Sequence, residues 1–332
     1  MSENILTVKD LKTYFYTASG IAKAVDGVSF NIAKGETMGI VGESGSGKSV
    51  TSSSIIRLLP PRTGKIVGGS IEFEGKDVLA LSKKELNDFR GKDIAVIFQD
   101  PMTSLDPVFK IGKQMTEMIM AHQNVTKDEA WKMAVEALSK VGIPEPEKRM
   151  NSYPYELSGG MCQRVIIAMA VCCKPKLIIA DEPTTALDVT VQAQVLELLK
   201  ELQRDMDTAI LLITHNLGVV WEMCDKVMVM YAGNTVEFTD TKTLYSNPRH
   251  PYTWGLLDSM PKLSDESKGE LKTIPGTPPD LRLTGKCCNF YNRCPYVTEA
   301  CTQSVPPLVE VEPGHFVACH RQLEKGEGLK DE

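Results

Sequence analysis

The chain has 332 residues, a length that predicts one large domain with an appendage, or two domains. Its 37 basic and 43 acidic residues give a net charge of −6, which argues against a nucleic-acid-binding face. No apolar run approaches the length that spans a bilayer, and the first residues lack the basic and apolar segments of a secretory leader. We therefore expect a cytosolic protein without a nucleic-acid partner.

The first 35 residues predict strands joined by turns. Residues 5–16 and 24–32 are rich in strand-forming side chains, and Ala18-Ser19-Gly20 predicts the turn between them. Phe15 is a candidate to stack on a flat base, and a core aromatic residue on a strand is the alternative interpretation.

A glycine-rich segment follows the next apolar run, Met38–Val41. Its spacing, G-x-x-x-x-G-K-S, predicts a strand, a tight phosphate-binding turn and a helix start. An ordinary glycine-rich turn is the alternative. In the phosphate-binding interpretation the lysine reaches the β- and γ-phosphates and the last serine is a ligand of Mg²⁺. The candidate ATP-binding residues here are Gly42, Glu43, Ser44, Gly45, Ser46, Gly47, Lys48 and Ser49.

Helices and strands alternate through the next hundred residues. A helix is predicted over Val50–Leu59 and ends at Pro60-Pro61, and strands are predicted at Ser70–Phe73 and Ile94–Phe98. Gln99 ends the last of these strands, where an amide can contact water, a metal ion or a neighbouring chain.

Residues 102–155 predict mostly helix, consistent with an inserted helical subdomain. Trp131, Val135 and Leu138 have the i, i+4, i+7 spacing of one helical face, and Gly142 and Pro144 predict the end of that helix.

A second candidate anion site begins at Ser158. This serine is a good helix N-cap, and Gly159-Gly160 would expose backbone N–H groups at the start of a helix over Val165–Val171. A plain capping sequence is the alternative.

Two carboxylates, Asp181 and Glu182, follow the buried strand Leu177–Ala180. Such groups at the exit of an apolar strand are costly unless they are paired or bind a metal ion. Asp181 suits Mg²⁺, and Glu182 could polarise an attacking water. A surface turn with two solvated acids is the alternative.

The remaining core elements follow the same alternation. Val191, Val195, Leu198, Leu199 and Leu202 predict the buried face of a helix. Ala209–Thr214 predicts another buried strand, and residues 227–237 predict a closing hairpin. His215 ends the buried strand, where it could hydrogen-bond a γ-phosphate or simply pack.

Together these motifs resemble the nucleotide-binding subunit of an ATP-binding cassette (ABC) transporter, over nearly the whole chain. Gly42–Ser49 resembles the Walker A loop, Gln99 the Q-loop and Asp181-Glu182 the end of Walker B with its catalytic glutamate. Leu157–Gln163 resembles the ABC signature. Its residues Ser158, Gly159, Gly160 and Gln163 would act on a partner subunit's nucleotide. Ala186-Leu187-Asp188 resembles the D-loop, His215 the switch histidine and Phe15 the adenine-stacking aromatic.

The resemblance implies an α/β fold with a RecA-like core, an antiparallel β subdomain, a helical subdomain (about 102–160) and a small cysteine-rich C-terminal domain. It implies an ATPase domain over 1–260 and an extension over 261–332. Ser49, Gln99 and Asp181 would hold Mg²⁺, and Glu182, Gln99 and His215 would serve hydrolysis. This sequence has Cys162 where the family often has Arg, and Asn216 where Asp is common, which could alter how His215 is held.

Residues 99–107 and 247–253 resemble the oligopeptide and dipeptide importer subfamily, and in particular the D-type ATPase of peptide permeases. The implied partners are a second, homologous ATPase, two membrane permease subunits and an extracellular peptide-binding protein. The implied location is the cytoplasmic face of the cell membrane. A nickel or other small-solute importer is an alternative, and a soluble ABC ATPase of translation or DNA repair is a more distant one.

Five of the nine cysteines lie between Cys287 and Cys319. Cys288, Cys294, Cys301 and Cys319 form a C-x5-C-x6-C-x17-C array, which in a reducing compartment predicts a metal site. A 4Fe–4S cluster fits four widely spaced thiolates, and the resemblance also indicates it. Zinc is an alternative, although the short C-x2-4-C knuckle of zinc sites is missing. The absence of any metal is a further alternative. The module would cover about 275–322, and Cys287 is a spare that could replace Cys288 as a ligand. His315 and His320 are expected in structural roles, although either could replace a thiolate, and a disordered tail follows.

Overall fold

A computed structural model describes residues 3–185, 187–260 and 273–321. Ala186 of the predicted D-loop and the predicted disordered tail therefore lie outside the described residues. The chain forms two compact units. One is built mainly from Ala80–Leu212, and the other from Leu6–Ile32, Thr37–Leu79 and the described part of Ile213–Glu332.

The first unit contains a sheet with the order β8–β7–β6, formed by β6 (Ile94–Ile97), β7 (Leu177–Asp181) and most of β8 (Ala209–Thr214). β6 and β7 run parallel, with Ile94 opposite Leu177 and Ile97 opposite Ala180. Their side chains are almost all buried, as expected for parallel strands covered on both faces. This arrangement brings the ends of β6 and β7, which carry Gln99 and Glu182, to one edge of the sheet.

The helices of the first unit confirm the predicted helical region. They are α2 (Lys83–Asp88), α3 (Pro101–Ser104), α4 (Ile111–His122), α5 (Lys127–Lys140), α6 (Pro146–Arg149), α7 (Gly159–Val171) and α8 (Val189–Met206). The buried face of α5 is formed by Ala130, Ala134, Ala137 and Leu138. Trp131 and Val135 are only half-buried, so the predicted face was displaced by one position.

The second unit contains an antiparallel sheet in the order β2–β1–β4–β5, formed by β1 (Asn4–Thr17), β2 (Gly20–Ala33), β4 (Gly64–Phe73) and β5 (Lys76–Asp77). The predicted strand at Ser70–Phe73 is thus the end of a longer strand. β1 pairs with β4 from Leu6 opposite Phe73 to Phe15 opposite Gly64, with irregularities near Lys12.

The other strands of the second unit have the order β11–β12–β10–β9–β3. They are β3 (Thr37–Val41), β9 (Lys226–Tyr231), β10 (Asn234–Asp240), β11 (Val309–Glu312) and β12 (His315–Val317). β3 runs parallel to β9, and β9 and β10 form the predicted hairpin. β10 also pairs with β12, which lies in the segment Cys287–Cys319 that carries five of the cysteines. This cysteine-bearing segment therefore belongs to the same sheet as β3.

The helices of the second unit are α1 (Lys48–Ile55), α9 (Leu217–Met223), α10 (Thr241–Ser246), α11 (Pro251–Asp258) and α12 (Glu299–Gln303). α1 ends four residues earlier than the predicted boundary at Leu59. Arg57 has a left-handed φ of 53°, and Leu58 N–H donates to the Ser53 carbonyl while Arg57 N–H donates to Ser54. These bonds form a Schellman stop.

No helix in these described residues is both long enough and apolar enough to cross a membrane.

Candidate functional site: a phosphate loop and a carboxylate pair

The predicted phosphate loop lies between the fully buried strand β3 and helix α1. Gly42 and Gly47 have φ values of 154° and 104°. A Cβ at Gly42 would lie 2.2 Å from the Met230 carbonyl oxygen, and one at Gly47 would lie 2.3 Å from that of Ala24. Glycine is therefore required at both positions, because any side chain would collide with backbone.

Gly45 differs from these two glycines. Its φ is 78°, yet in the described part of the chain no atom lies within 4 Å of a Cβ built there. The neighbouring Ser46 is only 4% exposed, and its hydroxyl has no hydrogen-bond partner among the described residues. Open space beside Gly45 and a buried polar group without a partner are features that an anionic ligand would complete.

Lys48 spans the loop. Its Nζ donates to the Gly42 carbonyl at 2.7 Å and to the Glu43 carbonyl at 3.0 Å, and the residue is 5% exposed. An ammonium held at this position can attract a phosphate group that enters the loop.

Glu43 is held by two residues that the sequence reasoning did not single out for this site. Its backbone N–H donates to the Tyr252 hydroxyl at 2.8 Å. Its carboxylate accepts two hydrogen bonds from the Arg293 guanidinium, at 2.6 and 2.9 Å. Tyr252 lies in a stretch recognised only through family resemblance, and no local pattern indicated Arg293.

Glu182 and Gln99 come together within the first unit. Gln99 Nε2 donates to Glu182 Oε2 at 3.0 Å, and the Thr185 hydroxyl donates to the same oxygen at 2.9 Å. Glu182 and the preceding Asp181 are half-buried, whereas Gln99 is exposed. Glu182 also adopts a left-handed φ of 48°, a conformation that costs free energy for a residue with a Cβ and that is common at functional sites.

The signature residues begin helix α7. The Ser158 side chain accepts a hydrogen bond from Met161 N–H, as predicted for an N-cap, and Ser158 and Gly159 are exposed. A Cβ at Gly160 would lie 2.8 Å from Val191 Cγ1, so this glycine allows α7 to approach α8. Gln163 differs, because it is only 1% exposed and its side chain points into the unit and not toward solvent.

Three further predicted residues lie at the boundaries of elements. Asp188 caps α8 by accepting from Val191 N–H at 3.0 Å. Phe15 is half-buried on β1, and His215 is exposed directly after β8. Asn216 caps α9 by accepting from Gly218 N–H at 2.9 Å, so it supplies the cap that an Asp would supply at this position.

The four cysteines of the predicted metal site lie in one neighbourhood of the second unit. Burial raises the pKa of the Cys288 thiol to about 12, and repulsion from Cys301, Cys294 and Cys319 adds to the effect. The pKa of Cys294 is raised to about 11 by the same causes. Within the described ranges, however, no group of three or more His, Cys, Asp or Glu side chains converges as a metal ion would require.

Comparison with known families finds two matches. Residues 25–185 match the ABC transporter family, and residues 236–301 match the C-terminal region of the oligopeptide/dipeptide transporter family. The second match ends at the third of the four predicted cysteine ligands.

Relatives align over nearly the whole chain. The oligopeptide transport ATP-binding protein OppD of Bacillus subtilis is 54% identical over 94% of this chain and 87% of its own length. OppD of Escherichia coli is 51% identical over 98% of this chain and 95% of its own length. The dipeptide transport ATP-binding protein DppD of Bacillus subtilis is 49% identical, with 98% and 97% covered.

Solved structures share the fold over most of the chain. A dimeric post-hydrolysis state of the ATP-binding cassette MJ0796, bound to ADP and Pi, superimposes with a TM-score of 0.64 at 27% identity. The superposition covers 71% of this chain and 98% of that one. CbiO1 from Clostridium perfringens, part of the transporter complex cbiONQ, gives 0.62 at 29% identity, with 74% and 92% covered.

Proposed function

The chain belongs to the ATP-binding subunits of ABC transporters, in the oligopeptide and dipeptide transport group, and from this we propose that it hydrolyses ATP to power peptide import. The observation that carries the proposal is the phosphate loop. Its two sterically required glycines, its buried Lys48 and its Ser46 hydroxyl, which has no partner in the described part of the chain, make a cradle for phosphate.

The residues of the two units have distinct proposed roles. Backbone N–H groups of Gly42–Ser49 and the Lys48 ammonium would bind the phosphates, and Phe15 would stack on the adenine. Ser49, Gln99 and Asp181 would hold Mg²⁺, which supplies charge neutralisation at the phosphates when bound. Glu182 would take the proton of the attacking water, and His215 would contact the γ-phosphate.

We further propose that the chain works as half of a heterodimer with a homologous ATPase. Ser158 and Gly159 are exposed at the N-terminus of α7, where helix N–H groups can bind a partner's nucleotide. Gly160 would support that surface, with Asp188 nearby in sequence. The pair would couple to two membrane permease subunits at the cytoplasmic face of the membrane, with an extracellular peptide-binding protein delivering substrate.

The experiment is reconstitution of the chain with its homologous ATPase and permease subunits in liposomes. ATP-dependent uptake of a labelled oligopeptide or dipeptide supports the proposal. Uptake of Ni²⁺, with no uptake of peptide, would indicate that the chain serves a small-solute importer of the same subfamily. ATPase activity without any association with permease subunits would favour a soluble ABC ATPase.

We also propose a division of the chain into two domains. We assign residues 1–260 to the ATPase and 261–332 to the peptide-permease extension. The extension's match to the oligopeptide/dipeptide transporter C-terminal region supports this division, although that match already begins at residue 236.

For the extension we propose a 4Fe–4S cluster held by Cys288, Cys294, Cys301 and Cys319. The support is that Cys288 and Cys301 are in contact, since Cys288 N–H donates to the Cys301 carbonyl at 3.0 Å, and that the neighbouring cysteines add to the burial that raises the pKa values of Cys288 and Cys294. A cluster would take these four thiolates as its ligands, and zinc would be the alternative for the same four residues.

The metal is tested on protein purified without oxygen. About four irons per chain, with broad visible absorption, would support the cluster. One zinc per chain would indicate a zinc module in place of the cluster. If intact protein contains neither metal, the proposed metal site does not exist.

A further inference from the structure

Arg293 uses every hydrogen-bond donor that its side chain has. Nε donates to the Pro275 carbonyl at 2.8 Å, and Nη2 donates to the Ile274 carbonyl at 3.2 Å. Nη1 donates to the Tyr231 hydroxyl at 3.3 Å, and one N–H of each terminal nitrogen goes to Glu43. An arginine has five N–H groups in a planar fork, so its orientation here is fully determined.

The acceptor, Glu43, belongs to the phosphate loop and is 250 residues distant in sequence. Both its side chain and its backbone are restrained, the first by Arg293 and the second by Tyr252 and Lys48. Its carbonyl also accepts from Ser46 N–H at 3.2 Å, which closes the turn of the loop. A change in the orientation of Glu43 would therefore change the backbone on which phosphate binding depends.

Besides restraining the loop, the Arg293–Glu43 ion pair neutralises the charge of Glu43. A carboxylate in a loop that receives a polyphosphate repels that ligand, because like charges interact strongly where water is partly excluded. The Arg293 side chain is only 4% exposed and the Glu43 side chain 28%, so the two charges compensate each other in a poorly solvated place.

We propose that Arg293 is a positioning residue for nucleotide, through which the cysteine-bearing segment sets the affinity of the phosphate loop for ATP. Arg293 ends the short turn Tyr291–Arg293 and directly precedes Cys294. The segment that carries the cysteines is thereby joined to the loop by one bidentate ion pair. The inference rests on the proposed function, because it assumes that this loop binds ATP.

The test measures the Kd for MgATP by isothermal titration calorimetry on the purified full-length chain. Arg293→Met should weaken binding about tenfold, equivalent to ~1.4 kcal/mol, because the loop loses its restraint and the carboxylate loses its counter-charge. The Kd of Arg293→Lys should lie between those of the wild type and Arg293→Met, because a lysine keeps the charge but cannot make the bidentate contact. Arg282→Met is the matched control, since Arg282 pairs with Asp280 at the surface, and its Kd should equal that of the wild type.

The double variant Arg293→Met/Glu43→Gln separates positioning from simple damage to the fold. Removing the uncompensated carboxylate should recover part of the affinity that Arg293→Met loses, whereas damage from two substitutions would accumulate. Unchanged affinity in folded Arg293→Met, or in Arg293→Lys if the methionine variant does not fold, overturns the proposal. A double variant weaker than Arg293→Met also overturns it. A wild-type chain that binds no MgATP contradicts the proposed function instead.

Discussion

Gln99 Nε2 and Thr185 Oγ1 both donate to the same carboxylate oxygen, Glu182 Oε2, at 3.0 and 2.9 Å. Two donors on one oxygen hold the carboxylate in one orientation. Gln99 follows β6 and Glu182 follows β7, and the parallel register of these strands places their ends together. A movement of Gln99 would thus alter the position of the Glu182 carboxylate.

Glu182→Gln tests the proposed general base. We expect ATP turnover in the assembled transporter to fall about 10²–10⁴-fold, the usual contribution of such a base. The Kd for MgATP should change little, because an amide keeps the size of the side chain and no phosphate-binding role is assigned to it. Thr185→Ala, which removes one donor and keeps the carboxylate, is the control and should lose less activity. Near-normal turnover in Glu182→Gln would exclude this residue as the base.

The glycines of the phosphate loop give a second, steric prediction. Gly47→Ala places a Cβ 2.3 Å from the Ala24 carbonyl oxygen, so the loop must move. Gly45→Ala meets no such obstacle among the described atoms, so in the ligand-free fold it is opposed only by its φ of 78°, a cost of about 1–2 kcal/mol. Urea unfolding without nucleotide should therefore show a larger loss in the free energy of unfolding for Gly47→Ala than for Gly45→Ala. Equal losses would contradict the steric argument.

Cys294→Ser tests the ligand set of the proposed cluster. A cluster of this kind needs four thiolates, so we expect iron to fall from about four to well under one per chain. Cys287→Ser is the matched control, because Cys287 adjoins the proposed ligand Cys288 but is not itself in the set. Iron analysis of anaerobically purified protein measures both. If Cys287→Ser loses the iron and Cys294→Ser keeps it, the assignment of ligands is wrong.

Two helix ends show what the sequence could and could not predict. The sequence predicted that α5 stops at Gly142, and Gly142 has a left-handed φ of 72°. Gly142 N–H donates to the Ser139 carbonyl, and Ile143 N–H donates to the Leu138 carbonyl. α1 ends with the same pair of bonds, but its left-handed residue is Arg57. Glycine is the usual signal for this stop, so a sequence pattern finds the first and misses the second.

The candidate site shows the same limit over longer distances. Gly42–Ser49, Asp181-Glu182 and Ser158-Gly159 were recognisable because their residues adjoin one another and follow strands or begin helices. Arg293 was not, because its role depends on a fold that brings it to Glu43 across 250 residues. Contacts of that kind leave no periodicity or spacing in the chain.

Buried His250 predicts a loss of stability in mild acid. Its Nδ1 accepts from Tyr252 N–H at 3.0 Å and so caps α11, which a protonated ring could not do. Burial lowers its pKa to about 4, against an opposing pull from Glu237. A depressed folded-state pKa means that the unfolded chain binds the proton first. The stabilisation is therefore complete above the unfolded pKa of about 6.5 and is lost as the pH falls toward 4.

The measurement is urea unfolding at pH 7 and pH 5. Between these values His250 alone should lower the free energy of unfolding by about 2 kcal/mol, because the unfolded histidine is protonated while the folded one is still neutral. His250→Asn keeps an oxygen that can cap Tyr252 N–H but has no proton to gain. The variant should therefore lack this part of the pH dependence, while carboxylates contribute equally to both proteins. Parallel pH profiles for the wild type and His250→Asn would show that His250 is already protonated, or titrates normally, in the folded chain.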